Sequence, residues 1–222
     1  MAPTSNTEHA FLQFALDAGV LRFGEFTLKS GRVSPYFFNA GLFNSGVTLS
    51  TLASFYAAAL HETEPASFML FGPAYKGIPL AAATAVVLAN EYKRDIPFAF
   101  NRKEVKDHGE GGQLVGATIS GNVVIIDDVI TAGTSVRESV DIIRAAGATP
   151  AAVIIALDRE EAVTEDGRGA IDFVTDEFGL RVHALARFSN LMDFLAGKPE
   201  LASQLQSLQD YQAHYGSAKT IR

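Results

Sequence analysis

VVIIDDVITAGTS, residues 123–135, opens as four apolar β-formers, turns polar at two adjacent acids, and ends in small and hydroxylated residues. The apolar run reads as a strand buried on both faces, and residues 135–146, closed by Gly147, read as the helix that follows it. In an open parallel sheet ligands sit beyond the carboxyl ends of the strands, where Asp127 and Asp128 fall. Gly133 lets the backbone turn tightly, and Thr131, Thr134 and Ser135 bring hydroxyl donors to a helix start. Backbone N–H groups there carry partial positive charge and suit a phosphate, which the carboxylates would repel. The acids therefore need another partner, and sugar hydroxyls or a magnesium ion both suit carboxylate oxygens. Phosphate beside polyol is a ribose phosphate. The plain alternative is a strand-to-helix turn with solvated acids, but the full D-D-x-x-T-x-G-T pattern between strand and helix speaks for ligand binding. No G-x-x-x-x-G-K-[ST] occurs, and GEGGQL at 109–114 misses dinucleotide-loop spacing, which disfavours nucleotide hydrolases and NAD enzymes.

The same alternation extends both ways from this stretch. Residues 7–18, with Ala10, Phe11, Phe14, Ala15 and Ala18 at helical spacing before Gly19, predict an opening helix. Residues 47–60 and 78–89 predict further helices. FMLFG (68–72), PFAFN (97–101), AAVIIAL (151–157) and 181–187 predict strands, with closing helices at 190–195 and 199–215 and a frayed tail from 216. This is an α/β chain with a parallel sheet covered on both sides. NRKEVKDHGEGGQLVG (101–116) is charged, then glycine-rich, with no apolar face, and predicts a long mobile surface loop. No repeat or linker divides the 222 residues, so a single domain is expected.

The net charge of −7 argues against a nucleic-acid coat protein, which needs clustered Lys and Arg. There is no cysteine, which removes disulfides, thiolate metal sites and thiol nucleophiles and fits a reducing compartment, with the cytoplasm as default. The first twenty residues lack a signal-peptide pattern, and no apolar run is long enough for a membrane span. His9, His61, His183 and His214 are scattered without metal-ligand spacing.

The acidic stretch resembles the phosphoribosyl-diphosphate (PRPP) motif of type I phosphoribosyltransferases. FTLKSGRVSPYFFNAGLFNSG (26–46), FGPAYKGIPLA (71–81) and FNRKEVKDHGEGG (100–112), in this order, resemble segments of the orotate-specific branch of that family. The resemblance implies the type I phosphoribosyltransferase fold in one domain. A mainly parallel sheet would be flanked by helices, a small hood would come from about residues 1–45 and the chain after about 158, and a mobile catalytic loop would span about 102–113.

It also implies Mg²⁺-dependent phosphoribosyl transfer from PRPP to orotate in pyrimidine biosynthesis, in a homodimer whose lid is shared between subunits. Arg102, Lys103, Lys106 and His108 would close over the diphosphate, where Glu104 and Asp107 equally allow a solvated charge run. Lys29, Tyr75 and Lys76 would add PRPP contacts. The whole turn of Asp127, Asp128, Val129, Ile130, Thr131, Ala132, Gly133, Thr134 and Ser135 would bind PRPP, with the two acids on the ribose hydroxyls and no direct protein ligand set for the metal. Phe37, Phe38, Thr131 and Arg159 would bind orotate, the arginine by a fork to its carboxylate. Taken alone, Phe37 and Phe38 are core residues and Arg159 is a surface arginine pairing Asp158 or Glu160. A purine-type enzyme need not carry the other three segments. A PRPP-sensing regulator would need a basic face or a DNA-binding domain.

Overall fold

The computed structural model describes residues 5–28, 31–106, 112–131 and 133–218. Lys29, Ala132, His108 and the side chain of Lys106 lie outside the described residues. The chain opens with α1 (Ser5–Asp17), a hairpin of β1 (Leu21–Thr27) and β2 (Val33–Phe38), and α2 (Gly46–Thr63). It continues through β3 (Met69–Gly72), α3 (Gly77–Tyr92), β4 (Phe98–Lys106), β5 (Gly112–Gly116), β6 (Asn122–Asp127) and α4 (Thr134–Ala145). It closes with β7 (Thr149–Asp158), α5 (Ala170–Phe178), β8 (Arg181–Arg187), α6 (Phe188–Ala196) and α7 (Ala202–Tyr215).

Six strands form one sheet in the order β5-β4-β3-β6-β7-β8, parallel except for β5. Because successive strand residues point to opposite faces, the apolar runs feed two cores. Leu70, Val124, Ile126, Ile154 and Ala156 join one core with Leu52, Tyr56, Leu60, Leu80 and Leu88 of α2 and α3. Phe71, Val123, Ile125, Val153 and Ile155 join the other with Val136, Val140 and Ile143 of α4 and Val174 of α5. The α4 positions recur at i, i+4 and i+7, one face of a helix. Among the described residues no helix is long and apolar enough to cross a membrane.

Four features depart from the sequence expectation. The segment read as a long loop is largely a hairpin, with Phe100 opposite Val115 and Asn101 opposite Leu114. Its strands gain ladder hydrogen bonds at the sheet edge, which do not require an apolar face. The β1–β2 hairpin makes a separate two-stranded sheet, and α5 is a further helix. The tail is tied at its start: Ser217 N donates to Glu160 O and Ala218 N to Gly167 O.

One hydroxyl ties α2 to the sheet where the acids sit. Tyr56, fully buried, donates from its OH to the carbonyl of Asp127 at 2.8 Å. Tyr56→Phe strands that carbonyl and should cost about 1–3 kcal/mol. Urea unfolding measures it, and an unchanged midpoint would show that the bond contributes nothing.

Candidate active site

The strand order reverses between β3 and β6: the chain leaves β3 for β4 and β5, then returns to β3's other side. The loops leaving the carboxyl ends of these neighbours therefore open into one crevice, the usual ligand position in such sheets.

The first loop, 73–76, folds back on β3. A Cβ at Gly72 would stand 2.1 Å from the carbonyl oxygen of Gly77, and one at Gly77 2.5 Å from Pro73 Cδ and 2.8 Å from the Ile126 carbonyl oxygen. Only glycines allow the turn to lie this close to the end of β6. Ala74 N donates to Asn101 Oδ1 of β4 at 2.9 Å, and the Ala74–Tyr75 peptide is cis. The ring of Tyr75 is exposed, with Lys103 Nζ 5.4 Å from its centroid, so a cation of β4 reaches this loop. Lys76 Nζ meets Asp128 Oδ2 at 2.5 Å.

The second loop carries the acids. Asp127 Oδ1 accepts from Asp128 N and Oδ2 from Ser135 Oγ, each at 2.9 Å. The Asp128 carbonyl accepts from Ala156 N at 2.9 Å. Both acids are buried, and burial, reinforced by the Asp128 charge, raises Asp127 from 3.8 to about 6. Val129 packs on the first core and Ile130 is buried in the second, so these two offer a ligand backbone rather than side chains. Thr131 and Thr134 are exposed. Gly133 takes φ +72, and a Cβ there would stand 2.9 Å from the Phe173 ring of α5. It stands at the start of α4 without any side-chain hydrogen bond to the first-turn N–H groups.

Lys76 meets Asp128, Ser135 meets Asp127, and Lys103 reaches the Tyr75 ring, so these six residues lie on the two adjoining loops and the β4 edge. Arg102 and Lys106 share β4 with Lys103. Phe37 and Phe38 lie on opposite faces of β2: Phe38 packs in the core near Phe11, and Phe37 stacks on Phe26 at 5.3 Å. Arg159, just past β7, pairs with neither Asp158 nor Glu160 but with Glu161, its Nη2 lying 2.6 Å from Oε1. Glu160 has φ +50, which turns the chain so that the third acid meets the guanidinium. Tyr56, Asn101 and Glu161 were missed from sequence, since each acts through a contact distant in the chain or chosen by one backbone angle. Two grooves of about 520 and 530 Å³, between the β1–β2 hairpin and α7 and beside β8, contain none of the site residues.

The sequence model of the phosphoribosyl transferase domain matches residues 49–184. An orotate phosphoribosyltransferase of Thioalkalivibrio sulfidiphilus is 59% identical over 209 residues, 93% of this chain and 96% of its own. One of Bordetella petrii is 58% identical, covering 97% of this chain and 99% of its own. The crystal structure of the Francisella tularensis orotate phosphoribosyltransferase superposes with a TM-score of 0.85 at 42% identity, covering 94% of this chain and all of that one.

Asp127 ionised in the folded chain is destabilised relative to the unfolded chain. As pH falls from 7 through about 6 toward 3.8, the folded state takes up a proton that the unfolded state does not, so stability rises. The contribution is at most about 3 kcal/mol. Asp158, raised by burial to about 6, behaves alike and Glu64, lowered, opposes them, so the comparison with Asp127→Asn isolates the effect. Denaturant unfolding of the ligand-free protein between pH 7 and 4.5 should show less acid stabilisation in the variant. Equal pH slopes would contradict the assignment.

Proposed function

The chain belongs to the phosphoribosyltransferase family, and we propose that its reaction is phosphoribosyl transfer from PRPP to N1 of orotate, giving orotidine 5′-phosphate and diphosphate in cytoplasmic pyrimidine synthesis. The single observation that carries the assignment of the machinery is the juxtaposition at the switch point: an uncapped helix start, two buried carboxylates and Lys76 within two adjoining loops. This set is complementary to phosphate, ribose hydroxyls and diphosphate in that order.

The 5′-phosphate sits on the N–H groups of residues 131–135, with Thr131, Thr134 and Ser135 adding hydroxyls. The ribose 2′ and 3′ hydroxyls donate to Asp127 and Asp128, whose negative charge also favours the cation that develops at C1. Lys76, Tyr75 and Lys29 meet the diphosphate side. Residues 102–113 act as a lid, from which Arg102, Lys103, Lys106 and His108 neutralise the leaving group and exclude water. Arg159 holds the orotate carboxylate, with Thr131 and the Phe37–Phe38 strand bordering the ring. Orotate gives up its N1 proton to water or a diphosphate oxygen, and the N1 lone pair forms the bond to C1 as the C1–oxygen bond breaks toward diphosphate. No protein nucleophile takes part, and orientation and charge stabilisation supply the rate.

Magnesium takes about six oxygen ligands. Among the described residues no group of three or more His, Asp or Glu could hold a metal. The donor set therefore fits a metal held mainly by PRPP, near Asp127 and Asp128. When bound, it neutralises diphosphate charge.

A homodimer whose lid is shared between subunits belongs to the same proposal.

In an assay with PRPP and magnesium, orotate absorbance should fall with equimolar diphosphate release; turnover of adenine, hypoxanthine or uracil in its place would overturn the proposal. Lys103→Ala and Lys106→Ala should each lower kcat by about 10²–10³ with the fold intact. Near-normal rates in both would remove the lid. If the lid serves the partner's site, inactive Lys103→Ala chains mixed with inactive Asp128→Asn chains regain activity, and failure to regain any would place the lid on its own subunit.

A further inference from the structure

The turn after β7 holds Arg159 more elaborately than an ion pair requires. Asp158 Oδ1 accepts from Glu160 N at 3.0 Å, and the left-handed Glu160 is pinned at both ends. Its carboxylate accepts from Ser189 N of α6 at 2.7 Å, and its carbonyl from Ser217 N at 2.8 Å. This fixes Glu161 against the guanidinium. Oε1 of Glu161 accepts from Arg159 Nε at 2.8 Å and Nη2 at 2.6 Å, and from the Tyr211 hydroxyl of α7 at 3.0 Å. Oε2 lies 3.7 Å from Arg32 Nη1, in the segment joining β1 to β2. Beneath, the buried Tyr36 ring carries the guanidinium, with Cζ 4.8 Å from its centroid.

A guanidinium presents five N–H donors in one plane, arranged as two forks that share Nη2. Glu161 occupies the Nε–Nη2 fork. The Nη1–Nη2 fork is therefore the one left for a second carboxylate. With the plane fixed by Tyr36 and the rotation by Glu161, that second fork has one orientation before any ligand arrives, which spares binding the cost of ordering a long side chain.

We propose that Glu161, backed by Tyr211, is a positioning residue that presents the free fork of Arg159 to the substrate carboxylate and so contributes to selection of a carboxylated pyrimidine. This rests on the assignment of Arg159 to orotate made above. Glu161 does not touch the reacting atoms, so its removal acts on orotate binding and leaves PRPP binding nearly unchanged.

Steady-state kinetics of the full-length enzyme test this. Glu161→Ala should raise KM for orotate about tenfold and that for PRPP less than about twofold. Glu161→Gln, which keeps an acceptor oxygen, should recover most of the loss. Tyr211→Phe, which removes one hydroxyl, should give a smaller rise for orotate alone and keeps the test open if Glu161→Ala does not fold. Adding Glu161→Ala to Arg159→Ala should raise the orotate KM no further, because the two act as a unit. A lower orotate KM in Glu161→Ala would show that Glu161 competes with substrate, and an unchanged one that it does nothing; either overturns the inference. Equal rises in both KM values without rescue by Gln would reduce Glu161 to general structural support and overturn it as well. An unchanged orotate KM in Arg159→Ala would instead remove the assignment of Arg159 itself.

Discussion

The pairing of β3 with β6 at the centre of the sheet is the constraint on which the site depends. Met69, Leu70 and Phe71 lie beside Val123, Val124 and Ile125 in parallel register, so both strands end at one level. One end delivers the Gly72–Gly77 turn and the other the acids. The two loops close on each other through Lys76 and Asp128 because the strands leave them no other place. The small residues of the turn are a consequence: a larger side chain at Gly72 or Gly77 would collide with backbone.

Electrostatics at this edge runs against the protein as a whole. The chain carries −7, yet the crevice pairs Lys76 with the buried Asp128 and brings Lys103 to the adjoining Tyr75 ring. Burying an acid is unfavourable, and the hydrogen bonds from Ser135 and the Asp128 amide only partly offset it, which is why Asp127 is held above the usual carboxylate range. Sugar hydroxyls would supply the missing donors. On the proposed function, stability is given up in the free protein where the ribose would bind, the common relation between strain and function. At the arginine Glu161 satisfies the Nε–Nη2 edge of Arg159, and on the proposed function the other edge receives the substrate carboxylate.

Most of the sheet was legible in the sequence because β3, β6 and β7 are apolar on both faces and so carry their burial in their composition. The acidic turn was legible for the same reason, lying directly after such a strand. What was hidden depends on pairing at a distance. β1 is largely exposed and gains its strand form only from β2, and β5 gains it from β4. The partner of Arg159 could not be read from three acids in a row with one arginine, since the left-handed turn at Glu160 decides which of them faces it. The strand order itself, and with it the meeting of the two loops, is non-local and has no local mark.

Amide chemical shifts of the ligand-free protein, recorded on adding ribose 5-phosphate and separately inorganic diphosphate, test the switch-point site most directly. Ribose 5-phosphate should move the amides of residues 127–136, and diphosphate those of residues 72–77 and Lys103. Ribose 5-phosphate shifts confined to the groove beside β8, at His183 and Arg187, with residues 127–136 unmoved, would contradict it.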